Sequence, residues 1–179
     1  MAATDRDRNA GAIGGRGGTG GDGRDGGERA LGPAVRVRTA LPSDGAVLAG
    51  LAAQLGYPTD PAEMDRRFRA LPDGDSVFVA VIDGEVVGWV HCSVVTSLVV
   101  EPHVQVLGLV VDERCRGRGI GRRLMHAADG YARERGRAAI RLRSGAERAE
   151  AHRFYESIGF RLVKTHLTLE RRADRDGRS

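Results

Sequence analysis

The sequence predicts an α/β domain of the α+β type, built on a mixed, mostly antiparallel central sheet with helices on both faces. Two hydrophobic runs, SVFVAVI (76–82) and VVGWVHCSVV (86–95), flank Asp83-Gly84-Glu85, the composition of a tight hairpin. One strand-like and two helix-like stretches precede them. After them, strands and helices alternate. A hairpin-linked block followed by crossovers cannot give a purely parallel sheet.

Each element has a local reason. VRVRTA (35–40) alternates apolar and polar residues and reads as a first strand. Pro42-Ser43-Asp44 opens a helix to about Leu55, with Ser43 or Asp44 as its N-cap, and Gly56-Tyr57-Pro58 breaks it. Asp60-Pro61 starts a second helix, ending near Leu71 before Pro72-Asp73-Gly74. VQVLGLVV (104–111) lacks charge and is expected to be a central strand buried on both faces. From Ile120 to about Arg135, Ile120, Leu124, Ala127, Ala128 and Tyr131 recur at helical spacing, and Gly136 closes that helix. AAIRLR (138–143) is a strand, Ala149 to Ile158 a short helix closed by Gly159, and FRLVKTHLTL (160–169) holds one or two final strands.

Composition narrows the function. Residues 1–33 are rich in Gly, Asp and Arg and almost free of apolar side chains, so they are expected to be a disordered tail. Residues 171–179 read as a second tail, leaving a folded domain over 34–170. The formal net charge is +4, and Lys164 is the only lysine. Nucleotide composition alone can produce such an arginine bias. The acidic residues interleaved in the N-terminal tail argue against an RNA-binding role, while a basic surface suits a polyanionic ligand. No apolar run is long enough for a bilayer and no signal-like segment opens the chain, so a cytoplasmic location is expected. Cys92 and Cys115 read as free thiols of a reducing compartment, too few to build a structural zinc site.

The chemistry concentrates in LGLVVDERCRGRGIGRR (107–123). A strand-like run ends at Val111, a charged turn follows, and Gly117, Gly119 and Gly121 stand among arginines just ahead of a helix. The first amides of a helix have no partner of their own and carry partial positive charge. Glycines let the backbone approach a diphosphate closely. A GxxxxGK[ST] phosphate loop is ruled out by the missing lysine. A dinucleotide fingerprint is disfavoured because Arg122 stands where its last glycine belongs. The pattern R/Q-x-x-G-x-G/A fits Arg116-Gly117-Arg118-Gly119-Ile120-Gly121 as written.

Here the chain resembles the GNAT superfamily of acyl-CoA-dependent N-acyltransferases. LGLVVDERCRGRGIGRRLMHAA looks like the family's main cofactor motif, and AHRFYESIGF (151–160) looks like its second motif, A-x-x-F/L-Y-x-x-x-G-F. The resemblance covers roughly residues 34–170 and implies a GNAT-like fold. It implies that acetyl-CoA is the cosubstrate, with no metal, and that transfer to a primary amine is direct. By the same resemblance, Leu109, Val110 and Val111 hydrogen-bond the pantetheine arm like a substitute strand. Arg116, Gly117, Arg118, Gly119, Ile120, Gly121 and Arg122 would hold the pyrophosphate, with Arg123 a further cationic neighbour. Tyr155 matches the tyrosine that protonates the leaving thiolate.

The general base departs from the family pattern. Gln105 occupies the position where some members carry a glutamate, and glutamine takes no proton. His103 lies on the same strand face and has a suitable unperturbed pKa. Glu101, His152 or a water relay are alternatives. Arg148 replaces an asparagine found in many members, so Arg148, Arg153 or Ser144 would meet the cofactor differently. The acceptor is expected to be a small-molecule or peptide amine, drawn by Asp60, Glu63, Asp65 or Glu101. No membrane partner is expected, nucleic acid is disfavoured, and a homodimer is compatible with the family. The alternative is a non-catalytic CoA-binding or regulatory domain of the same fold.

Overall fold

The computed structural model describes residues 34–171. The expected tail over 1–33 and nearly all of the one over 171–179 lie outside the described residues. The elements run β1 (Arg36–Thr39), α1 (Gly45–Gln54), α2 (Pro61–Arg69), β2 (Asp75–Ile82), β3 (Glu85–Val95), β4 (His103–Val111), α3 (Ile120–Glu134), β5 (Ile140–Leu142) and α4 (Ala149–Ser157). One sheet holds the strands in the order β1-β2-β3-β4-β5. The first three pairings are antiparallel and the β4–β5 pairing is parallel. This is the mixed, mostly antiparallel sheet that the hydrophobic pattern predicts.

The β2–β3 hairpin turns through Asp83 (φ 49°) and Gly84 (φ 86°), both left-handed. Two such residues in succession match the right-handed twist of the flanking strands. Two bulges interrupt the ladders. In the hairpin the register shifts between Ala80 and Val81, leaving Val87 as the extra residue on β3. Between β3 and β4 it shifts at His91/Cys92, leaving Leu107 as the extra residue on β4. Each bulge reverses which residues of its strand face which side.

The sheet separates two cores. On one face, Val90 and Cys92 of β3 and Val104 and Val106 of β4 pack against Ile120, Leu124, Ala128 and Tyr131 of α3. Those helical positions recur every three or four residues, which gives α3 a continuous apolar stripe. The Tyr131 hydroxyl donates to the Gly74 carbonyl at 2.8 Å and ties α3 to the start of β2. On the other face, Val77, Val79, Val81 and Trp89 meet Leu48 of α1 and Met64 and Phe68 of α2. The Asp60 carboxylate accepts from the Glu63 amide at 2.9 Å, and Pro61 needs no amide partner, so α2 begins where expected.

Three expectations are corrected. Asp44 stands at the N-cap position of α1, but neither its side chain nor that of Ser43 accepts from the helix; a 3-10 turn over Pro42–Asp44 precedes it. Asp44 is buried and turns back, accepting from the Leu41 amide at 2.7 Å and from the Arg38 guanidinium at 2.7 and 2.9 Å. The strand over 104–111 is not buried on both faces throughout: Leu107, pushed out by the bulge, is 57% exposed. The final strands over 160–169 are absent. That stretch alternates like a strand, but beyond Phe160 it is exposed and finds no ladder among the described residues.

The Arg38 hydrogen bonds hold the Asp44 carboxyl below the ordinary carboxylate range, outweighing its burial. A carboxyl depressed in the folded state stabilises above its unfolded pKa of about 4. That contribution is lost as pH falls through the lower folded value. Asp44→Asn is therefore expected to cost roughly 1–3 kcal/mol at pH 7, measured by urea unfolding. The difference from the native chain should shrink as the pH drops below about 4.

Candidate functional site

The ladder between β4 and β5 is short. Val104, Gln105 and Val106 pair with Ile140, Arg141 and Leu142, and there the pairing ends. β4 runs on through Leu107 to Val111 with no strand on that side. The backbone groups along this part of its edge are therefore open to an extended ligand. Leu109, Val110 and Val111 line the opening by register. Ser144, just beyond β5, has a buried hydroxyl with no partner among the described residues.

The glycine-arginine loop closes the wide end of the gap. Gly117 (φ 76°) and Gly119 (φ 75°) are left-handed, a conformation that L side chains rarely adopt. Gly119 is the residue before α3, and no side chain caps that helix. The amides of Gly117, Arg118, Gly119, Ile120, Gly121 and Arg122 find no acceptor among the described residues, and the first capture by the chain is Arg123 N–H to the Gly119 carbonyl at 3.2 Å. Successive free amides at a helix N-terminus form an anion cradle. Arg116 and Arg118 are exposed beside it, and Arg116 also donates to the Val111 carbonyl at 3.2 Å. Arg122 leans on the end of α4, 3.4 Å from the Ser157 carbonyl. Upstream, Asp112 holds the turn: hydrogen bonds from Arg114 lower its carboxyl to about 2.

Gly121 has a second duty that its place in the motif does not announce. A Cβ there would lie 3.0 Å from Phe154 Cζ and 3.3 Å from Phe154 Cε2. The glycine lets α4 pack directly on the first turn of α3, and so joins the two motif segments. Tyr155 follows, with its ring 5.3 Å from Phe154 and 5.8 Å from Phe160. Burial raises its pKa, partly offset by the Arg148 charge. The phenol stays protonated at neutral pH and is available as an acid.

The remaining predicted residues separate. His103 and Gln105 face the α1/α2 side, as strand alternation predicts. His103 is 4% exposed and its Nδ1 meets the Glu101 carbonyl at 2.9 Å. Gln105 Nε2 donates to the Val106 carbonyl at 3.3 Å. Glu63 and Asp65 are engaged by Arg66, Arg67 and Arg69 along α2, and Asp60 caps that helix. Of these acidic candidates only Glu101, exposed just ahead of β4, has no side-chain partner among the described residues. Sequence reasoning missed one pair. The His91 Nε2 lies 2.8 Å from Asp75 Oδ2, with the carboxylate 7% and the imidazole 20% exposed. Among the described residues, no group of three or more His, Cys, Asp or Glu could hold a metal ion, and no helix is long and apolar enough to cross a membrane.

Residues 47–160 match the model of the acetyltransferase (GNAT) family. An uncharacterised N-acetyltransferase of Methanocaldococcus jannaschii is 34% identical over 105 residues, 56% of this chain and 46% of that protein. The human N-acetylaspartate synthetase is 35% identical over 103 residues, 58% of this chain and 33% of the synthetase. The match thus spans less than half the length of either curated relative. A crystal structure of a transcriptional regulator from Bacillus halodurans superposes with a TM-score of 0.70 at 25% identity, covering 76% of this chain and 99% of the regulator.

The α3–α4 contact is testable by a double-mutant cycle. Gly121→Ala should lower stability by roughly 1–3 kcal/mol through crowding against Phe154. In the Phe154→Leu background the same change should cost clearly less, because the neighbour has been trimmed. Equal costs in both backgrounds, read by denaturant unfolding, would assign the penalty elsewhere.

Proposed function

Because the chain belongs to the GNAT acetyltransferase family, we propose that it moves an acetyl group from acetyl-CoA to a primary amine by direct transfer. The observation that carries this reading is the run of partnerless amides from Gly117 to Arg122 beside the broken β4–β5 ladder. A diphosphate fits the amides, and an amide-bearing arm fits the open edge at Leu109, Val110 and Val111. The orphaned Ser144 hydroxyl supplies a polar contact on the opposite bank. No metal enters the reaction.

Residue roles follow from this placement. Arg116, Arg118 and Arg122 add charge to the cradle formed by Gly117, Gly119, Ile120 and Gly121. Tyr155 donates its phenolic proton to the departing sulfur. Among the β4 side chains named above, His103 is the one whose type could take up a proton, through its Nε2. The acceptor is a small-molecule or peptide amine, reached from the α1/α2 side. The two free thiols and the absence of a spanning helix among the described residues are compatible with a cytoplasmic enzyme.

Calorimetry with acetyl-CoA and an acetylation screen over a panel of amines test the proposal. Binding with turnover supports it, while binding without turnover of any amine favours the non-catalytic CoA-binding alternative. Gly119→Glu places a carboxylate in the cradle and strains a left-handed position, so cofactor affinity should fall by at least about tenfold. Wild-type affinity would contradict the loop assignment. Tyr155→Phe should lower kcat by roughly 100-fold with little change in cofactor affinity; unaltered kcat removes Tyr155 from the mechanism.

A further inference from the structure

Resting on the acetyl-transfer reading above, we propose that the acceptor amine surrenders its proton to His91, backed by Asp75, and not to a group on β4. The register sets the stage. Asp75 of β2 pairs with Ser93 of β3, Ser93 with Gln105 of β4, and Gln105 with Arg141 of β5. These four polar residues form one row across the sheet on the α1/α2 side. His91 stands one step along β3 from this row, diagonal to Asp75 and opposite Gly108. The row ends at Arg141, one residue before the β4–β5 ladder stops. It thus reaches from the gap to a histidine–carboxylate pair.

A proton released in the gap meets Gln105 and Ser93 first, and neither can hold it at neutral pH. His91 and His103 both can, and their surroundings decide between them. His103 has a neutral carbonyl as its partner and is 4% exposed, so protonating it would bury an uncompensated charge. His91 has a carboxylate at 2.8 Å that is itself 7% exposed and has no other side-chain partner among the described residues. A proton taken up at His91 therefore has a carboxylate directly beside it. With Nε2 held by Asp75, Nδ1 is the nitrogen left for the substrate side. Neighbouring strands lie about 4.8 Å apart, and β3 stands one strand from the gap. The Trp89 ring covers Gly108, where a Cβ would lie 2.7 and 2.8 Å from its carbons, so the route from the gap to His91 runs along the Gln105–Ser93 row.

The step balances. The amine nitrogen forms the N–C bond to the acetyl carbonyl and the C–S bond breaks. The amine proton passes to His91 Nδ1, directly or relayed by solvent, and Tyr155 gives its proton to the thiolate. Solvent then carries the proton from His91 back to Tyr155, leaving amide and free thiol as the only products.

The test uses the full chain, acetyl-CoA and the amine best acetylated in the screen. His91→Gln keeps a donor for Asp75 and removes the proton acceptor. It should lower kcat by about 100-fold while leaving the affinity for acetyl-CoA, read by calorimetry, unchanged. His91→Ala should lose activity similarly and regain part of it on addition of free imidazole, which a purely structural histidine would not show. If His91→Gln turns over like the native chain, or if kcat collapses in His103→Gln while His91→Gln is active, the assignment to His91 is overturned. If the native chain binds no acetyl-CoA or acetylates no amine, the acetyl-transfer reading itself fails and this inference with it.

Discussion

The early end of the β4–β5 ladder is the constraint on which the rest of the structure depends. Parallel strands joined by a crossover helix ordinarily pair along their length and bury both faces. Here β5 supplies three residues against the nine of β4. The unpaired edge from Leu107 to Val111, whose last carbonyl accepts from Arg116 Nε, is where the chain can receive a third party without breaking a ladder. The bulge at Leu107 sits at the point of divergence. It turns the backbone and resets which side chains face each core, so that Leu109 and Val111 pack towards α3 while Val106 and Val104 still do.

The two motif segments act as one object because Gly121 admits Phe154. The cradle faces outward from the first turn of α3, and α4 rests on that same turn. Tyr155, next in sequence to Phe154, is thereby fixed relative to the amides that would grip the cofactor. Arg122 strengthens the link by donating towards the carbonyl end of α4, where cations are favoured. An acid and an anion site carried on separate elements need such a joint if the thiolate is to leave beside the phenol.

The architecture was legible in the sequence where local chemistry determines it. Asp83-Gly84 announces the hairpin, Asp60-Pro61 the start of α2, and the stripe from Ile120 to Tyr131 the long helix. The loop glycines were legible because a left-handed backbone leaves few other residues to use. What escaped depends on register. Counted from the hairpin turn alone, Asp75 falls opposite Cys92; the extra residue Val87 shifts it to Ser93, on the face that holds His91. No pattern in VVGWVHCSVV marks Val87 as a bulge. The period-two stretch beyond Phe160 misled for the opposite reason: alternation records a capacity to pair, and a strand also needs an edge that accepts it. Asp44 resembled a cap, but Arg38 on the neighbouring strand claimed its carboxylate.

The two ends of the site differ in what recognises the ligand, and that difference explains their unequal legibility. The cradle and the open edge act through main-chain groups, which every sequence supplies once the backbone adopts the shape. Only residues that permit the shape need be recognisable, and glycines are. On the α1/α2 face the proposed proton transfer involves side chains gathered from four strands: Asp75, His91, Gln105 and Arg141. Their spacing in the chain carries no signal, because it is set by ladder registers and two bulges. Main-chain recognition suits a cosubstrate that does not vary, whereas side chains in strand rows can be exchanged one at a time without disturbing the ladders beneath them. On the proposed reading, a sheet that takes its donor by backbone and meets its acceptor with side chains can change acceptor while keeping the donor.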